Sequence, residues 1–235
     1  MSVNRKLLLF GYFLTISYSY ISSFKYLIVN NVILINSADV LRLKSMHPNN
    51  HQFLIALGSN KNLGPLKPLD ILKKAIAELK QSEISLVSLS RFFESPAYPE
   101  GKGSNFVNSA IKIQVKCSFE EILQKLHKIE KKFNRTRDTR WGARTLDLDL
   151  LAQDGQVFPN EEIFRKWYNL PLVEQMKKSP KNLILPHPRI QDRAFVLLPL
   201  LDIEPNWIHP ILRKTALQMY EELNEQVKKS IQLVQ

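Results

Sequence analysis

The sequence predicts an α+β fold: a βαββαβ core in the ferredoxin-like arrangement, helices packed on an antiparallel sheet, and a C-terminal extension after it. Three observations lead there. Runs of strand length that are apolar or alternating occur at 53–57, 84–93, 106–115 and 146–151. Apolar residues recur at helical spacing between the first and second runs and again between the third and fourth. Clusters of glycine, proline, asparagine and serine punctuate the joins.

Each element follows from its residues. Phe53-Leu54-Ile55-Ala56-Leu57 is a buried strand closed by the turn residues Gly58-Ser59-Asn60. Behind Pro65 and Pro68, the residues Leu69, Leu72, Ile76 and Leu79 make the apolar face of a helix. Residues 84–93, rich in β-branched, leucine and aromatic side chains, form a strand, and a loop with Pro96, Pro99, Gly101 and Gly103 follows. From Phe106 to Val115 the chain alternates. Val107, Ile111, Ile113 and Val115 share one face, while Phe106, Asn108, Ala110, Lys112 and Gln114 share the other. Ser118-Phe119-Glu120-Glu121 fits a capping box, and Phe119, Ile122, Leu126, Ile129 and Phe133 continue as an amphipathic helix. The last core strand sends Leu146, Leu148 and Leu150 inward and Asp147 and Asp149 to the opposite side. Two helices on one face leave the other face of the sheet free for a site. Residues 153–182 are poorly periodic and read as loops with a short strand at 156–158. Leu183-Ile184-Leu185-Pro186-His187-Pro188 is stiff extended chain, because each proline fixes φ and restrains its neighbour. Thr215 caps a C-terminal helix whose stripe is Leu217, Tyr220, Leu223, Val227 and Ile231.

Composition narrows the function classes. The formal charge of +11 and pI near 9.7 favour an anionic partner: nucleotide, nucleic acid or membrane surface. Cys117 is the one cysteine, which excludes an internal disulfide framework and a cysteine metal site. Residues 1–45 differ from the rest. Arg5-Lys6 precedes an apolar run at 7–16, and a second run spans 26–35. A secretory signal begins this way, but no small-x-small cleavage site after it is persuasive. Lys25 interrupts any span near the ~20 residues of a membrane helix. The favoured division is an apolar extension at 1–52 and a functional domain at 53–235, with Met46 as a candidate start. Membrane contact through 7–35 stays open as the less favoured reading; a cytoplasmic monomer that binds no nucleic acid is expected.

The chemistry gathers around Arg140-Trp141-Gly142-Ala143-Arg144-Thr145-Leu146-Asp147-Leu148-Asp149. Two carboxylates on one strand face, roughly 7 Å apart, suit hard divalent cations that also hold phosphates. Arginine grips phosphate in bidentate fashion, and Lys131, Lys132, Arg135, Arg137, Arg140 and Arg144 lead into the pair. The competing reading is a wet strand face and a solvated helix end. Phe106 and Asn108 offer a ring to stack on and an amide for the edge of a flat heteroaromatic ligand, or else Phe106 merely covers an edge. His187, between prolines and followed by Arg189 and Arg193, suits anion contact. Neither the glycine-rich phosphate loop nor the dinucleotide fingerprint is present, so nucleotide binding falls to these side chains. An RNA-binding split-βαβ module would carry aromatic pairs on two central strands and gives no reason for aligned aspartates. A membrane-tethered interaction domain is the other rival.

Leu57-Gly58-Ser59-Asn60, Phe106-Val107-Asn108, the Arg-Trp-Gly-x-Arg-Thr-Leu-Asp-Leu-Asp run and Pro186-His187-Pro188 with Arg193-Ala194-Phe195-Val196 occur in this order. Together they resemble the 6-hydroxymethyl-7,8-dihydropterin pyrophosphokinases over about residues 53–210. The resemblance implies diphosphate transfer from ATP, as co-substrate, to the pterin alcohol in folate biosynthesis. It implies two Mg²⁺ held by Asp147 and Asp149, and a pterin sandwiched by Phe106 and Phe195, edge-bonded by Asn108 and enclosed by the backbone of Ser95, Pro96 and Tyr98. Glu130, Arg135, Arg137, Trp141, Arg144, His187 and Arg193 would line the ATP side, with Arg135 and Arg144 stabilising the transferred charge. Ala143 stands where proline is common, and residues 159–182 are longer than usual for the family.

Overall fold

The unbroken apolar run 53–57 within one strand has to be covered on both faces, and the fold is organised around that demand. The computed structural model describes residues 4–9, 12–21, 24–29, 32–35, 50–81, 84–97, 103–135 and 142–234. The chain divides into two compact units, Met1–Asn50 and His51–Gln235.

In the first unit, β1 (Asn4–Leu9), β2 (Tyr12–Ile21), β3 (Phe24–Val29) and β4 (Val32–Ile35) form an antiparallel meander. The apolar runs of the N-terminal segment are therefore strands. Among the described residues no helix is long and apolar enough to cross a membrane. Met46 lies outside the described residues.

In the second unit, β5 (His51–Ser59), α1 (Pro68–Gln81), β6 (Ser85–Leu89) with β7 (Phe93–Ser95), β8 (Phe106–Val115), α2 (Phe119–Lys132) and β9 (Asp147–Gln153) supply the βαββαβ order. β8 pairs antiparallel with β5, and β5 with β9; β6 and β7 both pair with β8. The capping box at Ser118 and Glu121 forms as the sequence predicts, with both reciprocal hydrogen bonds present. One face of the sheet packs Phe53, Ile55, Leu57, Ile111 and Ile113 against Ile71 and Leu72 of α1 and Ile122 and Leu126 of α2. Each of these side chains contributes about 1.5–3 kcal/mol by leaving water.

The pattern left the opposite face free, but it is partly covered. A helix after the Pro-His-Pro segment, α5 (Ala194–Ile203), lies across part of it. Its Val196, Leu197 and Leu200 join Leu54, Leu151 and Ala152 of the sheet in a second core. A bulge sets Leu54 against Ala152 and Ile55 against Leu150, so Ala152 joins Leu151 on this second side. The helix escapes periodicity analysis because Ala194-Phe195-Val196-Leu197-Leu198-Pro199-Leu200-Leu201 is apolar all round and contains a proline.

Other elements differ from the pattern for local reasons. The segment 153–182 contains α3 (Glu161–Tyr168) and α4 (Leu172–Lys177). α3 is capped by Asn160 but buries only Phe164, too little for a readable period. The short strand expected at 156–158 is a single bridge, Phe158 to Leu185. The strand expected over 84–93 breaks at Ser90, whose hydroxyl accepts from Ala110 N at 2.8 Å and takes a ladder position. The single C-terminal helix becomes α6 (Ala216–Glu221), with its own capping box at Thr215, and α7 (Glu225–Lys229), restarted by Asn224. β10 (Gln232–Leu233) then pairs with β7. Ala216 and Met219 are the buried residues of α6, while Leu217 and Val227 are exposed.

Candidate active site

Strand register builds the site. On the face that α5 partly covers, β5 presents Leu54, Ala56 and Gly58 in succession. Leu54 pairs with Lys112 and Ala152, Ala56 with Ala110 and Asp149, and Gly58 with Asn108 and Asp147. Side chains on the central strand thus shrink from leucine to alanine to nothing, and the cover of α5 gives way to a cleft of about 40 Å³. Ala56 and Gly58 form its floor, and Phe106, Asn108, Phe195, Asp147 and Asp149 line it.

One wall suits a flat ring. Phe106 is half-buried on β8 and Phe195 comes from the first turn of α5. Between them, the Asn108 side-chain amide donates to the Ser95 hydroxyl at 2.9 Å and has the Phe106 and Phe93 carbonyls within 3.3 and 3.4 Å. With its nitrogen committed to three protein acceptors, Asn108 turns Oδ1, a hydrogen-bond acceptor, toward Gly58. Ser95 is buried opposite Phe106, and Pro96 follows it half-buried.

The other wall is charged. The Asp147 carboxylate is gripped by Arg135 and Arg144, one on each oxygen. Arg135 also holds Glu130, which is 3 % exposed and accepts from Leu148 N at 2.8 Å. Burial raises the proton affinity of Glu130, and Arg135 opposes this. Glu130 therefore works from beneath, fixing Arg135 and β9. Burial, then the neighbouring Asp149, raises the pKa of Asp147, while Arg144 and Arg135 pull it down. Arg193 occupies the position before α5, and its guanidinium lies 3.9 Å from Asp149 and 5.8 Å from the Phe195 ring centre. Two acids on one strand face among cations suit a hard divalent ion whose remaining ligands come from phosphate and water. Among the described residues no third acid, histidine or cysteine joins them.

His187 donates its backbone N–H to Leu151 O at 2.7 Å, and its Nδ1 accepts from Arg189 N at 3.1 Å. Burial, with Arg193 and Arg189 nearby, lowers its pKa to about 3. The ring is neutral, so the proton sits on Nε2 and His187 offers a hydrogen bond rather than a charge. Arg189 is turned away, donating to the Trp167 and Tyr168 carbonyls at the end of α3. Tyr98, Arg137, Arg140 and Trp141 lie outside the described residues.

Sequence reasoning passed over Asn60, treated as a turn residue. It is buried, its Oδ1 accepts from Arg144 N at 2.7 Å, and its Nδ2 donates to Ser104 O at 2.9 Å. Its backbone N–H and that of Lys61 both donate to Arg144 O. The Ser59 hydroxyl donates to Thr145 O at 2.6 Å. Ser59 and Asn60 thus hold the Arg144–Thr145 backbone, and Asn60 also ties in the far end of the loop before β8.

Residues 54–205 match the family model described as 7,8-dihydro-6-hydroxymethylpterin-pyrophosphokinase. The chain is 35 % identical over 175 residues to a 2-amino-4-hydroxy-6-hydroxymethyldihydropteridine pyrophosphokinase of Synechocystis, covering 74 % of this chain and 77 % of that one. It is 32 % identical over 160 residues to the protein of the same name from Aquifex aeolicus, covering 68 % and 86 %. Among solved structures, Plasmodium falciparum HPPK-DHPS with pterin and p-hydroxybenzoate shares the fold at a TM-score of 0.56 and 14 % identity. That match covers 80 % of this chain and 47 % of the Plasmodium one.

Proposed function

Since the chain belongs to the 7,8-dihydro-6-hydroxymethylpterin-pyrophosphokinase family, we propose how its own residues carry the reaction. It transfers diphosphate from ATP to 6-hydroxymethyl-7,8-dihydropterin, giving the pterin diphosphate and AMP in folate biosynthesis.

The pterin ring lies between Phe106 and Phe195, with its N–H edge on Asn108 Oδ1. Its hydroxymethyl oxygen points across Gly58 toward Asp147, where it attacks the β-phosphorus of ATP. An oxygen–phosphorus bond forms there, the bond to the AMP oxygen breaks, and the hydroxyl proton passes to water. Such a transfer needs in-line placement and charge neutralisation more than covalent help. Arg135 and Arg144 stand on Asp147, where that charge develops, and are the residues we assign to absorb it. Asp147 and Asp149 would hold two Mg²⁺, which when bound clamp and neutralise phosphate oxygens. Arg193 and neutral His187, joined by Arg137 and Trp141, complete the ATP side in this reading. Both substrates are polar and water-soluble, and we place the reaction in the cytoplasm, carried out by a monomer through residues 53–235.

One observation supports this most directly. Asn108, Gly58 and Asp147 are partners in a single row across three strands, so ring recognition and phosphate chemistry are two strand spacings apart. Incubating purified protein with ATP, Mg²⁺ and the hydroxymethyl pterin is expected to release AMP and pterin diphosphate in equal amounts. ADP as the nucleotide product would sink the diphosphate-transfer reading.

A further inference from the structure

Gly58 has no structural reason to be glycine. It sits within β5, and its φ does not lie in the left-handed region. A glycine inside a strand costs roughly 0.5–1 kcal/mol relative to alanine, having no side chain to pack and more freedom to lose. Nor does neighbouring protein exclude a larger residue. A Cβ built there meets Phe106 Cδ1 at 3.6 Å, Asn108 Oδ1 at 3.7 Å and Asp147 Cβ at 3.9 Å, all ordinary van der Waals separations. The free protein has room for alanine.

The three atoms around that space belong to the three functions of the site: the stacking ring, the edge acceptor and the phosphate-side carboxylate. Strands lie about 4.8 Å apart, so the Asn108 and Asp147 strands are separated by ~10 Å with Gly58 halfway. A bicyclic ring anchored by its edge at Asn108 runs out of ring near this midpoint, and its substituent has to cross the rest.

We propose that Gly58 is a specificity-determining residue: its missing side chain is the passage for the one-carbon arm at C6 of the pterin, between the ring wall and the phosphate wall. The site takes a pterin whose hydroxyl hangs on a single methylene because that arm fills the volume a Cβ would occupy. This rests on the pyrophosphokinase reading.

Gly58→Ala tests it, with unsubstituted pterin, 6-hydroxymethylpterin and ATP–Mg²⁺ titrated separately into variant and wild type. The variant is expected to keep its affinity for unsubstituted pterin and for ATP–Mg²⁺ within about 2-fold. It should lose about 10-fold or more for the hydroxymethyl compound, the scale of one misplaced carbon in a close-fitting pocket. Equal losses for both pterins would put the ring over Gly58 and overturn the proposal, as would no loss for either. The ratio of the two affinities does not depend on the fraction folded, so a weakened variant still decides. A variant that does not fold at all overturns the premise that the free protein accepts alanine. Wild-type protein that binds neither pterin and releases no AMP would instead bring down the underlying reading, a distinct result.

Discussion

The two faces of the sheet are cut from the same strands yet meet opposite demands. Toward α1 and α2, β5 presents Phe53, Ile55 and Leu57, all buried to 2 % exposure or less. Toward α5 the alternate residues are Leu54, buried in the second core, Ala56, half-buried against it, and Gly58, which has no side chain to pack. The first face is filled from end to end and serves stability. The second is filled at one end and emptied at the other, and the emptied end carries Asn108, Asp147 and Asp149. A graded loss of side-chain volume along one strand is enough to turn a core into a site.

That contrast can be broken in ordered steps. Asp149→Asn, on the emptied end, keeps shape but removes charge; turnover is expected to fall on the order of 10³-fold, with pterin binding unchanged by titration. An unchanged kcat would remove Asp149 from the phosphate wall. Arg144→Ala and Arg135→Ala should each lower kcat by about 10²-fold, more than they raise KM for ATP. They should part in stability. Arg135→Ala strands buried Glu130 and should cost about 3 kcal/mol in urea unfolding, while Arg144→Ala should cost far less. A raised KM at constant kcat would make both arginines simple ground-state binders.

A third step tests the support around α5. His209 is fully buried against Phe164 and Trp207, and its Nδ1 accepts from Ile211 and Leu212 N–H groups. Burial lowers its pKa to about 4, below the ordinary 6.5, so the unfolded chain takes up the proton first. Stability from this residue is complete above pH 6.5 and is lost as pH falls toward 4, by up to about 3 kcal/mol. His209→Asn keeps an acceptor without the titration, and its denaturation midpoint should vary less with pH over that window. Phe106→Ala should weaken pterin binding by about 1–3 kcal/mol while the melting temperature and ATP binding hold. Unfolding without a selective pterin defect would mean Phe106 belongs to the packed end. The smallest effect is expected from a chain starting at Met46, which should retain full turnover; lost activity would make the N-terminal unit part of the enzyme.

Much of this was legible because strand periodicity is strict. Phe106 and Asn108 emerge on the face opposite Val107 and Ile111, and Asp147 and Asp149 opposite Leu148 and Leu150, as alternation requires. The α5 helix was hidden because a short run that is apolar throughout has no period to read. α3 was hidden because one buried phenylalanine in eight residues makes no stripe. Asn60 and Gly58 read as turn residues, since asparagine and glycine after an apolar run ordinarily end it. A glycine within a strand is also the mark of something approaching the backbone closely, and that was the available signal.

The floor of the cleft has a consequence for inhibition. Over Gly58 a bound molecule would rest on peptide backbone, and main-chain atoms are the part of a protein that point mutation cannot delete. Escape from a compound seated there would require added bulk, and the added atoms would fall where we propose the substrate arm passes. A ligand confined to that strip should therefore leave fewer routes to resistance than one that leans on Phe106 or Phe195, whose rings a single codon change can remove.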